Sequence, residues 1–342
     1  MDLYDQAEEA RLSCRYVDAA RFYQEALDLG IRTAEAHLGL GHVLRMQGEF
    51  LESLDHYQAA MERPADEVFR LDALLGKALA LRALCRHAEA IRYLKEALDI
   101  FDRTDDEEGM AYALWALGGA KRISGKFTEA LEHLEEALAM YRALGDSHGE
   151  MFCHCGLGGL SRILGRIDAS DESYSAAHEL ARHHEDRFAI SYSHCGLGNV
   201  HRMRGEFSKA MEQFQKAEEG YRILGDRVSY AYTVWSMGTV HKLQGEKEQA
   251  ETRFHACLSL FESTRDPRGK IYALTGLAEM GIGPENLEIC SSYAREYALP
   301  WEGLLVELTT ARIQGSTLPG LEDRLKTFGT LWKPGSGPLN IP

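Results

Sequence analysis

His154-Cys155 and His194-Cys195 lie in two copies of one phrase, His-Cys-Gly-Leu-Gly, at residues 154–158 and 194–198. Imidazole and thiolate are zinc ligands, and a thiolate beside a histidine is a nucleophile. The spacing supports neither chemistry. There is no Cys-x-x-Cys, and no two histidines are four residues apart. Cys153 and His154 are sequence neighbours, so on a helix they face different ways. Cys155 and Cys195 belong to successive equivalent helices, whose backbones pack about 10 Å apart. His154, His194, His201 and His241 fall at packing positions and read as core histidines. Gly156-Leu157-Gly158-Gly159 has no following Lys-Ser/Thr and cradles no phosphate. No catalytic group, metal or cofactor is expected, and the chain is read as a non-enzyme.

A second pattern is chemically stronger. Arg11, Arg45, Arg82, Arg122, Arg162, Arg202 and Lys242 recur at spacings of 34, 37 and then 40 residues. Lys and Arg make up only 38 of 342 residues, so seven basic residues in one column need a cause, either inheritance by repeat duplication or function. Guanidinium groups grip carboxylates with two parallel hydrogen bonds. A ladder of them suits an acidic ligand. The alternative is that each pairs with an acid on a neighbouring helix or reaches into solvent.

The ladder needs elements that bring it to one face. Sliding the sequence by 40 residues aligns Gly118, Gly158, Gly198 and Gly238, then Gly125, Gly165, Gly205 and Gly245. Asp106, Asp146, Asp186, Asp226 and Asp266 form a third column. Each unit reads as two helices. The Asp caps the first, satisfying free backbone N–H groups. The second glycine column makes the turn within the pair. The first column sits mid-helix, where glycine costs about 1 kcal/mol against alanine. Recurrence at such a cost implies close helix–helix approach.

These units resemble the tetratricopeptide repeat, carried by Leu117-Gly118, Gly125, Ala130, Leu134 and Ala137 in one copy and Leu197-Gly198, Gly205, Ala210, Phe214 and Ala217 in another. Their 40-residue length resembles the kinesin light chain and spindle-orientation adaptor type, beyond the usual 34 residues. The resemblance implies an all-α, right-handed superhelical solenoid of about eight helix-turn-helix repeats. They lie near 3–33, 34–66, 68–105, 106–145, 146–185, 186–225, 226–265 and 266–298. A capping helix at 299–315 follows. The tail at 316–342 is expected to be partly irregular, with a short helix near Leu321–Phe328 and an irregular or disordered end from Trp332.

In this family one stripe of each first helix lines the concave groove. Carried over, that stripe is Tyr112, Trp115, Gly119 and Arg122 in the fourth repeat. It continues as Phe152, Cys155, Gly159 and Arg162, as Tyr192, Cys195, Asn199 and Arg202, and as Tyr232, Trp235 and Lys242. The aromatics would stack, the cations would supply counter-charge, and Asn199 would hold a peptide backbone. The co-chaperone type binds chaperone tails through a Lys-Asn-Asn-Lys-Arg clamp, which is not matched here.

Composition narrows the partners. A net charge of −15 disfavours nucleic acid and anionic membranes. No apolar run spans a bilayer, and Met1-Asp2-Leu3-Tyr4-Asp5 does not read as a secretory leader. Seven scattered cysteines suggest the reducing cytoplasm. The expected function is a scaffold or adaptor whose groove takes a protein or peptide with acidic residues. The alternative is a regulatory sensor with a small anionic ligand over Gly119 and Gly159. Self-association through terminal repeats stays open.

Overall fold

The computed structural model describes residues 2–62 and 67–332. Among them are eighteen α-helices and no strand. They run as antiparallel pairs: α1 (Leu3–Leu12) with α2 (Tyr16–Asp28), α3 (Thr33–Gln47) with α4 (Phe50–Met61), and α5 (Glu67–Ala83) with α6 (His87–Arg103). The 40-residue units follow: α7 (Glu107–Ile123) with α8 (Phe127–Leu144), α9 (Ser147–Ile163) with α10 (Ile167–His183), α11 (Arg187–Met203) with α12 (Phe207–Leu224), and α13 (Arg227–Gln244) with α14 (Lys247–Ser263). Next come α15 (Pro267–Glu279), α16 (Asn286–Glu296), α17 (Pro300–Ile313) and α18 (Leu321–Thr327). This is an all-α repeat solenoid. No described helix is long and apolar enough to cross a membrane.

The Asp column caps five first helices. Asp106 accepts from the Gly109 N–H, Asp146 from His148 and Gly149, Asp186 from Ala189, Asp226 from Val228 and Ser229, and Asp266 from Gly269. Gly125, Gly165, Gly205 and Gly245 adopt positive φ at the turns inside each pair. The mid-helix glycines mark close approach. A Cβ built on Gly158 would lie 2.9 Å from the Tyr174 ring, and one on Gly196 of the next repeat would lie 2.3 Å from the same ring. Tyr174 is thus clamped between two first helices. Tyr57 is held in the same way by Gly41 and Gly76, and Phe254 by Gly238 and Gly276.

Each first helix also touches the first helix of the adjoining repeats, as in α5 with α7, α7 with α9, and on to α13 with α15. First helices therefore form a continuous inner wall. The second helices carry exposed Glu132, Glu135 and Glu136 outside.

Remote repeats also meet. Arg227 donates to Glu49 at 2.6 Å, across 178 residues. Cys14 packs near Tyr221 and Leu224. Trp301 and Phe328 stack on Phe127, with ring centres 5.4 and 5.6 Å from it. The Leu331 N–H donates to the Leu164 carbonyl at 2.8 Å, and Trp332 Nε1 to the Ile163 carbonyl at 3.1 Å. The chain thus coils back on itself after about five repeats. The half-exposed Glu49–Arg227 pair contributes no more than about 1 kcal/mol. Burial of the large aromatics contributes roughly 1.5–3 kcal/mol each and dominates.

Trp332 lies beyond regular structure yet is docked through its indole; residues 333–342 lie outside the described residues. Trp332→Ala should destabilise the fold by about 1–3 kcal/mol in urea unfolding. An unchanged midpoint would show that this contact contributes nothing to closure.

Candidate ligand-binding bore

The basic column comes together along the inner wall. Arg82 has Arg122 and Arg45 as its electrostatic neighbours on adjoining repeats, and Tyr192 reaches it from three repeats on. Tyr192 also feels Arg122 and Arg162. Residues three repeats apart therefore face one interior space, the bore of the coil.

The ends and the middle of the ladder differ. Arg11 is paired with Glu8 at 2.7 Å, and Lys242 with Glu279. These two answer to the pairing alternative. In the middle, Arg45, Arg82 and Arg122 form no ion pair with a carboxylate among the described residues. Arg45 Nε donates to the Tyr57 hydroxyl at 3.4 Å. Arg82 lies 5.5 Å from the Trp115 ring centre, a cation–π distance. Burial and the charges of Arg122 and Arg45 pull its guanidinium down to about 10. Arg202 is pulled down to about 9 by burial and by Arg162. Both remain charged near neutrality, so the bore holds its positive charge against desolvation and mutual repulsion.

Several expected site residues turn out to be internal. Asn199 is buried, and both ends of its amide are engaged: Nδ2 donates to the Cys195 carbonyl at 3.0 Å, while Oδ1 accepts from Arg202 Nη2 at 2.9 Å and from Ser236 Oγ at 3.4 Å. It orients Arg202 and has no end left to hold a peptide backbone. Trp235 is only 3% exposed, and its indole N–H donates to the Tyr272 carbonyl at 3.2 Å. Trp115 does the same to the Phe152 carbonyl at 3.1 Å. Each indole is a strut to the next repeat, because an indole N–H in a drying interface must find an acceptor.

Tyr112, Trp115 and Phe152 form a continuous ring stack at 5.4 and 5.9 Å. Tyr232 donates its hydroxyl to Asp266 at 2.7 Å. Cys155 is buried, and Cys195 is half-buried, accepting from Thr233 Oγ1 at 3.5 Å. Of the expected stripe, Tyr112, Tyr192, Arg122, Arg162 and Arg202 converge with Arg45 and Arg82. The space expected over Gly119 is taken, since a Cβ there would lie 2.3 Å from Arg82 Nη1.

Three of the repeat histidines have partners away from the ladder, whereas the buried Nδ1 of His154 has no hydrogen-bond partner among the described residues. His194 Nδ1 lies 2.7 Å from Gln213 Oε1 on α12. His201 and His241 are half-buried and paired with Glu206 and Glu246 at 2.6 and 2.5 Å, so they sit at the turn edge rather than in the core. Among the described residues no group of three or more His, Cys, Asp or Glu is placed to hold a metal ion. Burial raises the Cys153 thiol to about 12 and raises Cys155 as well. A surface depression of about 570 Å³ lies between α11 and α12, lined by Ile190, Lys216, Ile223 and Leu224, and it includes no ladder residue.

Paired helices clamped by large side chains, with first helices inside, define an α-solenoid of the helix-turn-helix repeat class. Residues 69–143 match the family model of the tetratricopeptide repeat. No curated protein matches the sequence. Solved structures share the fold at low identity. The Rap protein complexed with competence and sporulation factor has a TM-score of 0.66 at 13% identity, covering 95% of this chain and 97% of that one. The Rap conjugation gene regulator of plasmid pLS20, in complex with the Phr* peptide, scores 0.63 at 14%, covering 95% and 93%. Aspartyl phosphate phosphatase F from Bacillus subtilis scores 0.59 at 14%, covering 75% and 69%. These matches carry the fold.

Thiols raised this far are protonated at pH 8, so Cys153 and Cys155 should react with a thiol reagent only on unfolding. Fast labelling of either in the native protein, mapped by mass spectrometry, would restore thiol chemistry to consideration.

Proposed function

We propose that the chain is a non-enzymatic scaffold whose bore binds a protein or peptide segment bearing acidic residues. The observation behind this reading is the basic ladder on the inner wall of a chain whose net charge is −15. An acidic exterior repels polyanions at long range, while the interior attracts a short segment that can enter. The solenoid shared with a regulator solved in complex with the Phr* peptide supports a peptide as ligand. Arg162 and Arg202 would supply counter-charge in the middle repeats, with Asn199 fixing Arg202. Tyr112 and Tyr192 would supply apolar contact.

The convergence of Tyr192 with Arg82 and Arg122 also favours a second reading, a regulatory sensor whose bore takes a small anion. Native mass spectrometry of the purified protein separates the two by the mass of what is retained.

Arg162→Glu combined with Arg202→Glu should weaken capture of the natural partner by at least about tenfold. Circular dichroism would establish that the double variant is folded. Unchanged affinity in a folded double variant would remove the ladder from function.

A further inference from the structure

We propose that Arg45, Arg82 and Arg122 form an oxyanion clamp, one guanidinium from each of three successive repeats, that holds a carboxylate or phosphate group on the inner wall of the bore. The inference rests on reading the bore as a ligand channel and names the ligand chemistry and its anchor, in repeats two to four.

The geometry supplies the argument. The three side chains come from equivalent positions on α3, α5 and α7, and adjoining first helices are in contact. They are half-buried, so the cluster is partly removed from water. None of the three is ion-paired to a carboxylate among the described residues, unlike Arg11 and Lys242 at the ladder's ends. Two carboxylates that sense the charge of Arg45, Asp72 and Asp226, have partners of their own. Asp72 faces His42 Nε2 at 3.5 Å, and Asp226 accepts the Val228 and Ser229 N–H groups as a helix cap. Arg82 is positioned by the protein itself, lying across Gly119 and against the Trp115 ring. Any side chain at 119 would displace it.

A guanidinium held in place, half-dry and beside two others, is in the state that an incoming oxyanion relieves. Its depressed pKa, set by burial and by Arg122 and Arg45, reports the same strain. The sign follows. A cation whose folded-state pKa is lowered destabilises the fold at every pH below that value. An anion that binds the cluster removes this penalty and stabilises the folded state by mass action. Three guanidiniums from three repeats favour a ligand with several oxygens, which can bridge them with paired hydrogen bonds.

The test is thermal unfolding of the full chain with inorganic phosphate, citrate or a short polyglutamate peptide, each against sodium chloride at matched ionic strength. The expected result is a larger rise in Tm with the multivalent anions than with chloride. Arg82→Gln and Arg122→Gln should abolish that excess. Without added anion, Arg82→Gln should melt at or above the unsubstituted protein, because repulsion is relieved. Gly119→Ala, which displaces Arg82 without removing charge, should weaken the anion response. A response to polyglutamate at concentrations where phosphate gives none assigns the clamp to an acidic peptide; the reverse assigns it to a small anion.

Equal rises with chloride and phosphate, or an excess that persists in both Gln variants, would overturn the clamp. Loss of partner capture on Arg162→Glu/Arg202→Glu alongside such a result would overturn the clamp and leave the scaffold reading intact. A specific anion response with partner capture unaffected would do the opposite.

Discussion

Everything in this molecule depends on how closely a first helix can approach the large side chain that packs against it. Tyr57, Tyr174 and Phe254, with Leu134 in the fourth repeat, each lie between a glycine of their own repeat and a glycine of the next. The missing side chains let a ring or a leucine sit directly on two backbones. A bulky group clamped on both sides leaves little freedom in the angle between repeats, since packed interiors tolerate neither voids nor overlap. The step from one repeat to the next is therefore regular. Regularity turns a column in the sequence into a line in space. The Arg column becomes a ladder because the clamp repeats, not because the arginines attract one another.

The same step sets the curvature, and the curvature brings the chain back onto itself after about five repeats. The contacts at this return are of mixed strength. The Glu49–Arg227 pair is half-exposed, and water screens it. Phe127 with Trp301 and Phe328, and the indole of Trp332 on the Ile163 carbonyl, are largely shielded from water. Closure narrows the interior, so residues from different repeats share one electrostatic environment. Burial beside like charges lowers the Arg82 and Arg202 guanidiniums. On an open groove each would be solvated, and none would feel the next. A solenoid of this form keeps its basic column inside and presents Glu132, Glu135 and Glu136 outside.

Much of this was legible in the residues. Five aspartates at 40-residue spacing announce five helix starts, because an N-cap is a local matter between one carboxylate and the N–H groups two or three residues on. The mid-helix glycines announce close approach, because nothing else justifies their recurrence. Both depend on near neighbours in the chain, and a repeat makes near neighbours periodic. The ladder was legible as a column for the same reason. What the stripe does was harder to read. Asn199 and Trp235 fall on the groove face by periodicity, yet the amide is consumed by Arg202 and Cys195, and the indole by the Tyr272 carbonyl. Helical phase places a side chain on a face. It does not state whether the next repeat offers that side chain an acceptor.

Sequence alone determined the helix pairs, their length, the packing columns and the basic column. Each follows from interactions within one repeat or between adjoining repeats, and the 40-residue period displays them. Tertiary structure alone decided that the coil closes, that Trp332 docks on the Ile163 carbonyl, and that Tyr192 shares an electrostatic environment with Arg82. Those outcomes depend on residues 110 to 180 positions apart, as with Tyr192 beside Arg82 and Arg227 on Glu49. Small rotations add up over several repeats, and no local pattern records their sum.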